Sequence, residues 1–108
     1  MFFELIKLIR VIKKNKNKNP KISYTANLIK KGKNFCIKKF SEEAKEFAIS
    51  SKYSNKKNIV YEAADLLYHF LVLLEFKKIS IFLVMKELKR RQKISGMEEK
   101  KNRKKNVR

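Results

Sequence analysis

Acidic side chains are scarce in this 108-residue chain, and half of its ten fall into two compact groups. The first group is Glu42, Glu43 and Glu46, and the second is Glu62 and Asp65. Residues three positions apart on an α-helix lie about 60° apart around its axis, so Glu43 and Glu46 would point the same way, as would the second pair. The spacing therefore predicts two helices that each carry a stripe of two carboxylates.

The second pair lies in the apolar segment 58–76, whose only basic side chain is His69. Burying an ionised carboxylate is costly unless it is paired or binds a metal. The loop 51–57 is short, so the two helices should be antiparallel neighbours whose stripes face one space. Because converging carboxylates repel one another without a cation, and oxygen-only ligands suit Mg²⁺ or Mn²⁺, the pattern favours a divalent metal site.

Other interpretations of these residues stay open. The first acidic group, taken alone, is more typical of a solvated helix face. Basic residues from other helices, such as Lys39 or Arg91, could neutralise the second pair as buried ion pairs. His69 lies on the same stripe as Asp65, but a lone histidine on an apolar helix is more often a satisfied core residue, so we expect it at most to support the carboxylates.

Helical periodicity runs through most of the chain, which has only two Gly and one Pro and therefore few of the turns that β-folds need. The predicted helices cover residues 2–12, 23–31, 34–50, 58–76 and 80–92. Helix 58–76 is apolar around most of its circumference and should be central and buried. We predict an all-α fold, a compact bundle of four to five helices, in one domain over residues 1–100. The chain should fray from Glu98 onward and end in a basic flexible tail, residues 101–108.

The formal net charge of +19 invites a nucleic-acid or membrane-surface function. However, Lys outnumbers Arg, and Lys, Asn and Ile are abundant in every segment, as codon bias in an AT-rich genome would produce. We therefore expect no nucleic-acid partner. No apolar stretch approaches the roughly 20 residues of a spanning helix, and no signal peptide is recognisable. With a single cysteine, Cys36, that is expected in the core, a cytoplasmic protein without a membrane partner is predicted.

The spacing Glu42-Glu43-x-x-Glu46, followed by Glu62-x-x-Asp65, resembles the metal-binding signature of the all-α nucleoside triphosphate pyrophosphohydrolases, the MazG-like superfamily. Over about residues 3–100 the sequence is similar to one family within it, phosphoribosyl-ATP pyrophosphohydrolase. The residues that carry this second resemblance are Ser23-Tyr24-Thr25-Ala26, Leu28, Gly32, Lys38-Lys39, residues 61–69, Glu87-Leu88, Arg91, Ser95-Gly96 and Glu99-Lys100.

This resemblance implies a reaction and a set of partners. The reaction is hydrolysis of 1-(5-phosphoribosyl)-ATP to the corresponding AMP derivative and pyrophosphate, the second step of histidine biosynthesis. The resemblance also implies a homodimer or larger homo-oligomer. We expect a stand-alone enzyme rather than one fused to the cyclohydrolase of the next step. The alternative is a related all-α pyrophosphohydrolase that acts on noncanonical nucleotides.

The resemblance also assigns roles to individual residues. Mg²⁺, or alternatively Mn²⁺, would be held by Glu43, Glu46, Glu62 and Asp65. Glu42 is the candidate to orient or deprotonate the attacking water. The candidates for phosphate contacts are Lys39, Arg90 and Arg91.

Overall fold

The computed structural model describes residues 2–93 and 96–106, and within these ranges it has six α-helices and no strand. In chain order they are α1 (Phe2–Asn15), α2 (Tyr24–Lys31), α3 (Lys33–Tyr53), α4 (Lys56–Phe76), α5 (Ile81–Arg91) and α6 (Gly96–Asn106). The chain divides into two compact units, Met1–Lys78 with α1 to α4, and Ile79–Arg108 with α5 and α6. The all-α prediction is confirmed, with one helix more than expected in the described ranges.

Local signals in the sequence set the ends of the helices in the first unit. Ser23 Oγ accepts a hydrogen bond from the backbone N–H of Ala26 and so caps α2. Gly32, at φ 98°, ends α2 in a conformation that favours glycine, and α3 begins at the next residue. The Asn55 side chain accepts a hydrogen bond from the N–H of Asn58 and caps α4. Ser23 and Gly32 therefore set the two ends of α2, close to the predicted range 23–31.

Helices α3 and α4 form the long hairpin of the first unit. Each has 21 residues, and only Ser54 and Asn55 connect them. Such a short connection makes them antiparallel neighbours, as the sequence predicted. The hairpin therefore brings the second half of α3 against the first half of α4.

The core of the first unit lies where α1 and α2 pack against the hairpin. The buried apolar side chains are Ile12, Ala26, Leu28, Cys36, Leu71 and Val72. The Cys36 thiol donates to the Leu28 carbonyl oxygen at 3.2 Å, which ties the start of α3 to α2. The predicted core position of Cys36 is therefore confirmed.

The prediction that helix 58–76 is buried around its circumference is wrong for its first half. Val60 and Tyr61 are 61% and 67% exposed, and Leu67 is 44% exposed. The buried residues of α4 are His69, Leu71, Val72 and Glu75, all in its second half. The reason is that α1 and α2 cover only that half, so an apolar strip of α4 stays open to solvent.

In the second unit, Ser80 caps α5 by accepting a hydrogen bond from the N–H of Phe82. Fraying was predicted from Glu98 onward, whereas residues 98–106 are helical, because α6 extends from Gly96 to Asn106. Its sequence is rich in Lys, Glu and Arg, which are good helix formers even without an apolar face. No helix in the described ranges combines the length and the apolar character needed to cross a bilayer.

Candidate active site

Three carboxylates converge between α3 and α4. Glu43, Glu62 and Asp65 can each supply one ligand oxygen, and these oxygens all lie within 4.8 Å of one another. Glu43 is buried, while Glu62 and Asp65 are half-buried. The hairpin produces this convergence because the two stripes run along the facing sides of antiparallel helices. Three of the four carboxylates of the two predicted stripes therefore meet in one space, and Glu46 is not among them.

Glu46 extends the cluster by one helical turn. Burial raises the pKa of the Glu43 carboxyl group, and its repulsion from Glu46 and Asp65 and a hydrogen bond with Glu46 raise it further, while His69 opposes the shift. Glu43 therefore lies in a site where negative charge is crowded. A divalent cation would act in the opposite direction and hold the carboxylates ionised.

Glu42 and Lys39 form an ion pair beside the cluster. Lys39 Nζ donates to Glu42 Oε1 at 3.3 Å, and both side chains are partly exposed. This hydrogen bond is the main reason that the pKa of Lys39 is raised, and Tyr24, Glu42 and Glu43 add attraction. Lys39 therefore joins Glu42 to the edge of the cluster.

Within residues 2–93 and 96–106, no ion pair joins Glu62 or Asp65 to a basic side chain, although the alternative interpretation required one. Among the described side chains, Lys39 pairs with Glu42, and Arg91 pairs with Glu87. Something other than Lys39 and Arg91 must therefore balance the negative charge of Glu62 and Asp65.

A chain of hydrogen bonds anchors the cluster to α2, and it was not predicted from the sequence. The His69 ring is buried, and its Nδ1 lies 2.9 Å from the carbonyl oxygen of Asp65. A carbonyl oxygen only accepts, so Nδ1 carries a proton, and Nε2 of the same ring is hydrogen-bonded to the Tyr24 hydroxyl at 3.3 Å. The neighbouring Thr25 and Tyr68 hydroxyls are also hydrogen-bonded to each other. The sequence did contain a signal for these hydrogen bonds, because the dipeptides Tyr24-Thr25 and Tyr68-His69 both lie within the segments that resemble the family.

Glu75, on α4, is a second buried acid, and its spacing in the sequence did not point to a role. Glu75 is 8% exposed, and its carboxylate contacts Lys16 Nζ at 2.6 Å and Lys13 Nζ at 3.1 Å. Burial raises its pKa, but the hydrogen bonds from Lys16 and Lys13 outweigh this effect, so the pKa is lowered overall. This ion pair connects α1 to α4 and has a structural role.

Arg90 and Arg91, predicted to contact phosphates, lie on α5 in the second unit. Both pair with Glu87, at 2.7 Å for Arg90 Nη2 and 3.0 Å for Arg91 Nε. The two guanidinium groups lower the pKa of Glu87 to about 2. The structure therefore brings Lys39 and Glu42 beside the carboxylates, and it pairs the two arginines with Glu87.

The fold and the carboxylate cluster together are typical of the all-α pyrophosphohydrolases that the sequence resembles. Comparison with known proteins narrows this class. The profile of the family described as phosphoribosyl-ATP pyrophosphohydrolase matches residues 5–92. The chain belongs to this family, and it is a hydrolase. The family and the enzyme class predicted from the sequence are thereby confirmed.

Several relatives carry matching names. The chain is 42% identical over 99 residues to the phosphoribosyl-ATP pyrophosphatase of Vesicomyosocius okutanii, covering 92% of this chain and 94% of that protein. It is 42% identical over 96 residues to the enzyme of the same name from Rhodobacter capsulatus, covering 89% and 93%. It is also 51% identical over 86 residues to the histidine biosynthesis bifunctional protein HisIE of Wolinella succinogenes, covering 80% of this chain but 38% of that longer protein.

Proposed function

We propose that this protein hydrolyses 1-(5-phosphoribosyl)-ATP to 1-(5-phosphoribosyl)-AMP and pyrophosphate, a step of histidine biosynthesis, in the cytoplasm. The observation that carries the proposal is the convergence of carboxylate oxygens from Glu43, Glu62 and Asp65 within 4.8 Å, on a chain of the phosphoribosyl-ATP pyrophosphohydrolase family. Family membership supports the substrate, and the cluster supports the chemistry.

The donor set fits a hard divalent cation. Glu43, Glu62 and Asp65 offer only oxygen, and Glu46 lies beside Glu43 to complete or adjust the set. Such ligands suit Mg²⁺, which we propose as the ion, with Mn²⁺ as its substitute. When bound, the ion would neutralise phosphate charge and provide a Lewis acid next to the bond that breaks.

Glu42 is the residue that we assign to the attacking water. Its carboxylate is partly exposed next to the cluster, and it is not among the three that converge. The Lys39 ammonium group lies 3.3 Å from one oxygen of this carboxylate and orients it, and the other oxygen can accept a proton from water. Lys39 is itself partly exposed and can also attract phosphate oxygens. We keep Arg90 and Arg91 as candidates for phosphate contacts, with Glu87 as their present partner.

We also propose that the protein is a homodimer. The supporting observation is that a single copy leaves large apolar side chains of the hairpin open to solvent. Among them are Ile37 on α3 and Val60 and Leu67 on α4, each between 43% and 61% exposed. Large apolar side chains left exposed on both helices of the hairpin favour a contact with another chain, and symmetric dimers are the commonest assemblies.

The decisive experiment measures pyrophosphate release by the purified full chain. We expect release from phosphoribosyl-ATP that requires Mg²⁺ and stops with a chelator. A panel of noncanonical deoxynucleoside triphosphates is the control for substrate class. Faster turnover of those nucleotides than of phosphoribosyl-ATP would contradict the proposed reaction, and light scattering on the same sample would test the dimer.

A further inference from the structure

An open cavity of about 420 Å³ lies between the second half of α3 and the first half of α4. The residues that line it are Glu46, Ile49, Ser50, Ser54, Asn58, Tyr61 and Glu62. Glu62 belongs to the carboxylate cluster and Glu46 adjoins it, so the cavity begins where the cluster ends. The other lining residues take no part in the carboxylate cluster.

Ser50 is the feature that suggests a ligand. It is 5% exposed, and its hydroxyl group has no hydrogen-bond partner in the described part of the chain. A buried hydroxyl without a partner is costly and uncommon. Because Ser50 lines the cavity, a ligand held there would supply the missing partner.

The register of the two helices places the cavity at one end of a continuous polar groove. On α3, residues 39, 43, 46 and 50 lie within about 60° of one another around the helix axis. On α4 the same holds for residues 58, 62, 65 and 69, which run in the opposite direction. Lys39 and His69 therefore mark one end of the groove, the carboxylates its middle, and Ser50 and Asn58 the other end. At 1.5 Å per residue the groove extends about 16 Å along α3.

Charge differs between the two ends. The end near Glu43 has the Lys39 ammonium group, which suits phosphate. Apart from Ile49, the cavity is lined by hydroxyl groups, one amide and two carboxylates, and none of its lining residues is cationic. Carboxylates repel phosphate but accept hydrogen bonds from neutral hydroxyl groups. The lining therefore fits an uncharged ligand that carries several hydroxyl groups, and a cavity of this volume is in the usual range for small-molecule sites.

We infer that this cavity binds a ribose of the nucleotide through its hydroxyl groups, while the phosphates extend along the groove toward Lys39. The inference rests on the proposed function and adds the direction in which the substrate lies. Ser50 and Asn58 donate to and accept from the sugar, and Glu46 accepts from its hydroxyl groups. Tyr61, with its ring largely exposed, covers one side of the sugar.

The test compares a substrate that has a sugar with a ligand that has none. Ser50→Ala and Asn58→Ala are assayed for the KM of phosphoribosyl-ATP and for competitive inhibition by inorganic tripolyphosphate. Loss of one neutral hydrogen bond should raise the KM roughly 2- to 12-fold in each variant. The inhibition constant of tripolyphosphate should not change, because its phosphates lie at the other end of the groove. Ser51→Ala is the matched control, since the Ser51 hydroxyl already bonds the Phe47 carbonyl oxygen and Ser51 does not line the cavity.

A loss of folding would not be mistaken for a loss of sugar binding in this test. Removing an unpaired buried hydroxyl is neutral or stabilising, so Ser50→Ala should melt at or above the wild-type temperature. The inference is overturned if the KM stays at the wild-type value in both variants, or if substrate and tripolyphosphate weaken equally. It is also overturned if Ser50→Ala changes the oligomeric state, because the hydroxyl would then serve a contact between copies. Wild-type protein that releases no pyrophosphate would overturn the proposed function as well, whereas active wild-type protein with indifferent variants would refute the ribose site alone.

Discussion

Replacing Glu43 with Gln should stabilise the metal-free protein while it removes activity. The Glu43 oxygen lies within 4.8 Å of those of Glu62 and Asp65. At this separation two unit charges repel by about 1 kcal/mol in a water-like dielectric and about 3 kcal/mol at an effective dielectric of about 20. The two partners are half-buried, so the lower figure applies to each, and the lost attraction to His69 and Lys39 offsets part of the gain. We expect a net rise of about 1–2 kcal/mol in the free energy of unfolding.

The assay is thermal unfolding in chelator and again in Mg²⁺. In a domain of this size each kcal/mol corresponds to about 4–8 °C in Tm, so the shift in Glu43→Gln is readily measured. Added Mg²⁺ should raise the Tm of the wild type and much less that of the variant, because binding to the folded state is what stabilises it. Glu4→Gln, an exposed acid on α1, is the control. A lower Tm for Glu43→Gln in chelator would refute the account of Glu43 as a crowded, uncompensated carboxylate.

The same charge crowding gives a pH dependence with a definite sign. The pKa of Glu43 is raised by burial and by its acidic neighbours, so its folded form prefers the proton. Its contribution is therefore most favourable below the ordinary glutamate pKa and is lost as the pH rises through the raised value. Glu75 behaves in the opposite sense, because its lysine partners lower its pKa and its stabilisation is lost as the pH falls through that lowered value.

Three further predictions follow from described contacts. Glu75→Gln should destabilise the fold by about 1–2 kcal/mol at pH 7 and flatten the loss of stability in acid, which urea unfolding across pH would show. If Glu75→Gln and Lys16→Met each lower the free energy of unfolding equally and their effects add in the double variant, the pairing of the two residues is contradicted. Glu42→Gln should lower kcat roughly 100- to 10,000-fold with little change in KM, as pyrophosphate release would measure, and a change confined to KM would remove Glu42 from proton transfer. Thr25→Val should cost about 1–3 kcal/mol in denaturant unfolding, because the Tyr68 hydroxyl loses its partner, and an unchanged midpoint would show that water replaces it.

The helices were largely predictable because their signals are local. Ser23 and Gly32 delimit α2 by capping chemistry, and apolar residues at spacings of three and four mark α1, α3 and α4. The exposed first half of α4 was not predictable in the same way. Periodicity shows that Val60 and Leu67 are apolar, but it does not show whether another helix or another copy covers them. The α6 helix was missed because it has no apolar face to reveal it.

The candidate site was predictable to the extent that it depends on spacing within helices. The meeting of Glu43, Glu62 and Asp65 follows from two stripes and one short connection. Contacts between distant segments were not predictable from such patterns. The Tyr24 bond to His69 joins residues 45 positions apart. The lysine partners of Glu75 come from α1, which no spacing rule on α4 could reveal.

The buried thiol of Cys36 makes this chain a convenient reporter of its own motions. It is the single cysteine of the sequence, and burial raises its pKa, so little thiolate is present at neutral pH. A thiol reagent will therefore react appreciably only when α2 separates from the start of α3 and releases the sulfur from the Leu28 carbonyl. The alkylation rate of unmodified protein consequently gives the frequency of that local opening, with no engineered probe.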